Sequence, residues 1–255
     1  MKATQFQPFH SAQRPLLFDA TAFSAELRVL VLAPHPDDFD VIGVTMRRFR
    51  ENGNRIDVAV LTSGASGVED GFQPNLTNAS KAAIREAEQR ASCQFFGLPE
   101  DRLTFLRLQE DAEGHLEASE PNLERLRAFW LAHPADVVFL PHRNDTNAAH
   151  RRTDALFRQV VAAHPGPLAA LFNRDPKTLV MRDDVMTLFA EAEAEWKGRL
   201  LRFHQTQHQR NLRTRGHGID ERILRVNRQT AARLKVPAEY AESFELELFQ
   251  LNATG

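Results

Sequence analysis

Two short segments of the 255-residue chain concentrate groups that can hold a cation or move a proton. The first, Pro34-His35-Pro36-Asp37-Asp38-Phe39-Asp40, crowds three carboxylates and an imidazole into a proline-bracketed turn. Like charges this close repel, and a cation relieves the repulsion. His35 and Asp38 stand three apart, so a tight turn can aim both at one point. Imidazole with carboxylate suits Zn²⁺ or Fe²⁺. Asp37 lies between them and cannot easily share their direction, but it can sit beside a water on such an ion. The bland alternative is an acidic helix cap with a surface histidine. The second segment, His142-Arg143-Asn144-Asp145-Thr146-Asn147-Ala148-Ala149-His150, offers His142, Asp145, Asn147 and His150. One of its histidines could complete a His-Asp-His set with an open fourth position, as catalytic zinc sites have.

Both segments leave a continuous apolar run through proline and enter a helical pattern. The runs at 28–33 and 136–141 read as parallel strands buried on both faces. Residues 55–61 and 103–108 read as two more strands. Helical spacing covers 41–52, 80–96, 122–132 and 153–163, with Gly53 and Gly97 as stops. Further on, 168–173 and 178–181 read as strands, 184–213 as one long helix and 220–234 as another. The alternation predicts an α/β fold: a three-layer, Rossmann-like, mostly parallel sheet with helices on both faces. A single domain is expected over 28–255, behind an N-terminal strap over 1–27. Ligands of such sheets bind beyond the carboxyl ends of the strands. The informative residues should therefore follow the first, second and fourth strands.

Composition narrows the partners. The chain is 42% hydrophobic and 26% charged with a formal net charge of -2, so it has no global field for nucleic acid or anionic membrane. Its one cysteine, Cys93, allows no internal disulfide or cysteine-based zinc cluster and falls on an apolar helix face. No apolar stretch near the N-terminus suits a signal peptide or a membrane span. The expectation is a cytoplasmic protein with a small-molecule substrate.

The PHPDD turn after the first strand and the Asp145-x-Asn147-x-x-His150 segment after the fourth resemble the PIG-L/LmbE-like metal-dependent deacetylases. Arg85-Glu86-Ala87-Glu88 resembles the family's R-x-x-E pattern. Lys197 with His204-Gln205-Thr206-Gln207 resembles its late K…HxSQ stretch, and Ala241-Glu242-Ser243-Phe244 its closing A-E-x-F. The resemblance implies removal of an acetyl or other acyl group from an N-acyl amino sugar or related amide. It implies one divalent ion, Zn²⁺ first and Fe²⁺ second, held by His35, Asp38 and His150. It implies Asp37 as general base and Arg85 as a substrate contact; Asp145 and His204 are further candidates for lining the site. A homo-oligomer is compatible with the resemblance. There are departures: Phe39 stands where the family usually has Glu, and Asn147 where it often has His. Thr146 stands where an acid usually precedes that His, and Asp145 is a candidate for the orienting role. Asn147 can donate a hydrogen bond to an oxyanion but cannot deliver a proton as an imidazolium does.

Other constellations compete less well. A non-catalytic carbohydrate-binding or small-molecule-binding module on the same fold is the alternative, favoured by those departures. Gly64-Ala65-Ser66-Gly67 lacks the second glycine of a nucleophile elbow, since Val68 stands there, and no lysine follows for a phosphate loop. Residues 62–79 read instead as a flexible flap over the site or, alternatively, a disordered surface loop. No Gly-x-Gly-x-x-Gly follows the first strand, which argues against a dinucleotide site. His204 and His208 have zincin spacing, but Gln205 replaces the glutamate.

Overall fold

The computed structural model describes residues 2–10, 13–18 and 23–250; residues 1, 11–12 and 19–22 of the expected strap, and 251–255, lie outside the described residues. Strand β1 (Leu16–Leu17) is short. Strand β2 (Val29–Ala33) is buried throughout, and its side chains alternate between two cores. Val29, Val31 and Ala33 enter one core, while Leu30 and Leu32 enter the other, as a period of two requires. A turn leads through helices α1 (Asp38–Val41) and α2 (Gly43–Glu51) to β3 (Ile56–Val60), then α3 (Asn78–Phe96) and β4 (Leu103–Phe105). The chain then crosses back through α4 (Glu120–Ala132) to β5 (Val137–Pro141), α5 (Ala148–Val161) and β6 (Leu168–Asn173). It ends with β7 (Val185–Phe189), α6 (Glu191–Leu201), α7 (Gln205–Arg215), α8 (Ile219–Leu234) and β8 (Tyr240–Phe249).

The strands form one sheet in the order β1-β7-β8-β6-β5-β2-β3-β4, with β8 antiparallel to both neighbours and the other pairs parallel. Helices α4 and α5 cover one face, with Leu126, Trp130 and Phe157 in its core. Phe39, Phe49, Phe96, Leu200 and Ile223, from α1, α2, α3, α6 and α8, fill the other. Phe6, Phe9, Phe18 and Phe23 are buried in that same core. This is the expected three-layer α/β architecture.

Three expectations need correction. Residues 178–181 do not form a strand; Thr178 makes a single bridge to Asp145. Residues 184–213 are not one helix but β7, α6 and α7, with His204 as the cap between the helices. The Val-Met-Thr-Leu-Phe run of β7 is apolar on both faces and carries no turn signal, so its strand character competes with helical spacing on sequence alone. Strand β8 was not anticipated, because Glu242, Glu245 and Glu247 break its apolar pattern. Each acid meets a partner: Lys197 for Glu242, Arg182 for Glu245 and Arg158 for Glu247.

Candidate active site

The sheet order explains why the two polar segments meet. From β2 the chain winds outward to β3 and β4, then returns to place β5 on the other side of β2. The carboxyl ends of β2 and β5 flank this reversal, where a crevice opens in such folds. The turn after β2 carries His35, Asp37 and Asp38. The loop after β5 carries Asp145 and Asn147 and runs into α5 with His150 in its first turn.

His35, Asp38 and His150 converge, each offering one donor atom within 4.8 Å of the others. His35 Nδ1 lies 3.2 Å from Asp38 Oδ2, and His150 Nε2 lies 3.5 Å from Asp38 Oδ1. Ligands of a tetrahedral ion bonded at about 2.0–2.1 Å stand about 3.4 Å apart, so these spacings fit a zinc-like ion. The Asp38 backbone turn is closed by its own side chain, which accepts the His35 N–H at 2.8 Å. Asp145 pairs with His150 Nδ1 at 3.1 Å, which directs Nε2 toward Asp38. Charge agrees with geometry. Burial would raise the Asp38 carboxyl, but His150 and His35 hold it well below the usual range. Burial would lower the His150 imidazole, but Asp38 and Asp145 raise it to about 10. The corner thus favours a positive charge, which a bound proton or a metal ion supplies.

Asp37 adopts φ 112°, a left-handed conformation that costs a non-glycine residue on the order of 1–3 kcal/mol. Its N–H donates to Gln89 Oε1 at 2.9 Å, and Arg85 lies 3.3 Å from its Oδ1. Arg85 also donates to the Pro36 carbonyl and, at 3.4 Å, to Thr206 Oγ1. Gly64 (φ 62°) crosses close by; a Cβ there would lie 3.3 Å from Arg85 Nε. Glu88 accepts from the Thr206 N–H at 2.7 Å, so it anchors the first turn of α7. Arg85 lines the crevice but is only 2% exposed, and its guanidinium bonds are shared among Pro36, Asp37 and Thr206.

The crevice encloses about 530 Å³. His35, Asp37, Asp38, Asn147 and His150 line it, as do Gly64, Ser66 and Gly67 of the expected flap. Asn147 caps α5 by accepting the Ala149 N–H at 3.0 Å, which leaves its Nδ2 without a partner among the described residues. Two expected site residues lie elsewhere. Asp145 is buried behind His150, bonded to it and to the Asn147 N–H at 2.6 Å, and does not line the crevice. His204 is fully buried and pairs with Asp40 beneath the turn, out of reach of the crevice. His142 pairs instead with Glu245 at 3.3 Å. Phe39, which stands where the family usually has Glu, packs edge-on against Phe96 at 5.0 Å. Burial pushes the Cys93 thiol up, which removes it as a nucleophile.

Sequence reading missed Asp175, Lys177 and Arg222, which also line the crevice. Asp175 offers a donor atom near His150 and Asp145, and burial pushes its carboxyl above the usual range. A signal existed: Asp175-Pro176 follows β6 as His35-Pro36 follows β2.

A profile described as PIG-L: GlcNAc-PI de-N-acetylase matches residues 30–161, which span both halves of this site. The chain belongs to the PIG-L family. No curated protein sequence matches it. Its fold is similar to N,N'-diacetylchitobiose deacetylase from Pyrococcus horikoshii (TM-score 0.74, 18% identity, 96% of this chain and 91% of that one). It is also similar to GalB, the 4-carboxy-2-hydroxymuconate hydratase from Pseudomonas putida KT2440 (TM-score 0.66, 18% identity, 87% and 95%). A zinc-inhibited form of teicoplanin deacetylase Orf2 aligns with TM-score 0.63 at 14% identity over 88% and 99%. At such identities these likenesses concern the PIG-L fold alone. Among the described residues, no helix is long and apolar enough to cross a membrane.

Proposed function

We propose that this PIG-L protein is a metal-dependent N-deacetylase that hydrolyses the amide of an N-acyl amino sugar or a related compound. The observation that carries the reading is the convergence of His35, Asp38 and His150 beside the strained Asp37. Those three residues would hold one divalent ion, with Zn²⁺ the first candidate. Such an ion supplies a Lewis acid for the amide carbonyl and can lower the pKa of a water from about 15.7 to about 7.

The protein's own groups do the rest. Asp37, placed by Arg85 and Gln89, takes a proton from the attacking water. The Asn147 Nδ2 donates to the oxygen of the acyl carbon as it gains charge. Removing one such donor typically costs about 100- to 1000-fold in rate. The proton on Asp37 then passes to the departing nitrogen, so amide and water give carboxylate and amine. Asp145 keeps His150 in the tautomer that presents Nε2.

The test is free-amine release from a panel of N-acetyl sugars by metal-loaded protein, with Asp37→Asn as control. The variant should bind about one ion per chain and lose roughly 100- to 10,000-fold of the rate. Full activity in Asp37→Asn, or protein that holds no ion, would sink the proposal.

A further inference from the structure

Arg222 and Lys177 stand apart from the other cations of the crevice. Arg85 is engaged by Asp37, and Arg210 donates to the Gly67 carbonyl at 3.3 Å. Among the described residues, neither the Arg222 guanidinium nor the Lys177 ammonium has a hydrogen bond or an ion pair. Yet both line the crevice that holds the His35–Asp38–His150 corner.

Neither is a loose surface side chain by placement. Arg222 lies in the first turn of α8 and is half-buried beside Ile219 and Ile223, which line the same wall. Burial pushes its guanidinium below its ordinary value, and Asp175, Asp37 and Asp145 oppose that only at a distance. Lys177 sits in a turn fixed on two sides. Its N–H donates to Asp175 Oδ1 at 2.8 Å, and its carbonyl accepts the Thr146 N–H at 3.1 Å, next to Asn147. Asp145 also feels the Lys177 charge, but no acid among the described residues is paired with or hydrogen-bonded to either cation, and a half-buried cation left without such a partner is costly unless an anion arrives from outside. A crevice of about 530 Å³ also holds far more than an acetamide group.

We propose that the substrate carries a carboxylate or phosphate on the part remote from the scissile amide, and that Arg222 and Lys177 grip that anion. This rests on the deacetylase reading of the same crevice. Arg222 supplies the planar fork suited to either anion, and Lys177 a point charge.

The test uses N-acetylglucosamine, N-acetylglucosamine 6-phosphate and N-acetylmuramic acid, which present no anion, a phosphate and a carboxylate. For metal-loaded wild type, Arg222→Gln and Lys177→Gln, kcat/KM of amine release is compared, with circular dichroism as the folding check. Wild type should favour one anionic probe over the neutral one about tenfold or more. Each folded variant should shrink that ratio roughly tenfold or more, mainly through KM. The favoured probe identifies the anion. No wild-type preference, or ratios unchanged in both variants, overturns the proposal. If no probe releases amine, the deacetylase reading fails for these sugars, and calorimetric binding of the same probes decides the anion site separately. Tighter binding of an anionic probe that weakens in Arg222→Gln or Lys177→Gln upholds it; equal binding of all three overturns it.

Discussion

Asp145 stands behind His150, one of the three candidate ligands. Its carboxylate holds the Nδ1 edge of His150 at 3.1 Å and accepts the Asn147 N–H, so one buried acid fixes both residues. Asp145→Asn keeps the shape but makes a poorer partner for the imidazole. Metal affinity should fall about 10- to 100-fold, read by chelator competition, while far-ultraviolet circular dichroism stays unchanged. An unaltered dissociation constant would contradict this role. The turn after β2 was legible in the sequence because His35, Asp37 and Asp38 are local, so spacing alone brings them together. His150 needed the family resemblance, since nothing in residues 142–150 says which histidine turns inward. Asp175 and Lys177 share the turn after β6, where Asp175-Pro176 was the one local signal, while Arg222 comes from α8 and was not legible: their meeting depends on how β6 and α8 sit against β5 and β2. His204 misled for the opposite reason. It lies in a recognisable motif, but the motif's work is structural.

The late motifs gain a meaning once the elements are placed. Lys197 on α6 and Glu242 on β8 form a buried ion pair at 2.6 Å. Glu242 also accepts the N–H groups of Val44 and Thr45 at 3.1 and 2.8 Å, so it caps the start of α2. One carboxylate therefore joins β8, α6 and the helix that follows the turn after β2. Burial lowers the Lys197 ammonium from its ordinary value, and Glu242 is the main opposing influence. Breaking a buried pair at one partner typically costs about 3–5 kcal/mol, because the other charge is left uncompensated. Glu242→Gln should therefore lower the melting temperature by on the order of 10 °C, measured by calorimetry. A shift of a degree or less would mean that the pair contributes little. Such charges also made β8 illegible: an acid in a buried strand makes sense only beside its partner, and Lys197 lies 45 residues away. The uniformly apolar β2 and β5 needed no such knowledge, and β3 and β6 each carry only one polar residue, Asp57 and Asn173, in an otherwise apolar run.

At the scale of the whole molecule, the lead-in and the sheet share one core. Leu16 and Leu17 pair with Val185 and Met186, which puts β1 on the edge of β7. The Phe18 ring lies 4.6 Å from Phe23 and 4.7 Å from Phe49 on α2, so aromatic contacts tie the first residues to the layer that carries the turn after β2. We propose on this basis that residues 1–27 are a strap the fold requires rather than a dispensable tail. Phe18→Ala should cost about 3–5 kcal/mol through lost burial and the cavity left behind. In a chain of this size that is a fall in melting temperature on the order of 10 °C. Deleting residues 1–27 removes more: it uncovers Phe49 and the backbone edge of β7, and the truncated protein should aggregate on mild heating. The candidate ion site draws only on the turns after β2 and β5, so the folded fraction of Phe18→Ala should still bind one ion per chain. A truncated protein that melts like the full chain would show the strap to be separable. A Phe18→Ala protein that folds but no longer holds the ion would show the site to depend on that aromatic layer directly.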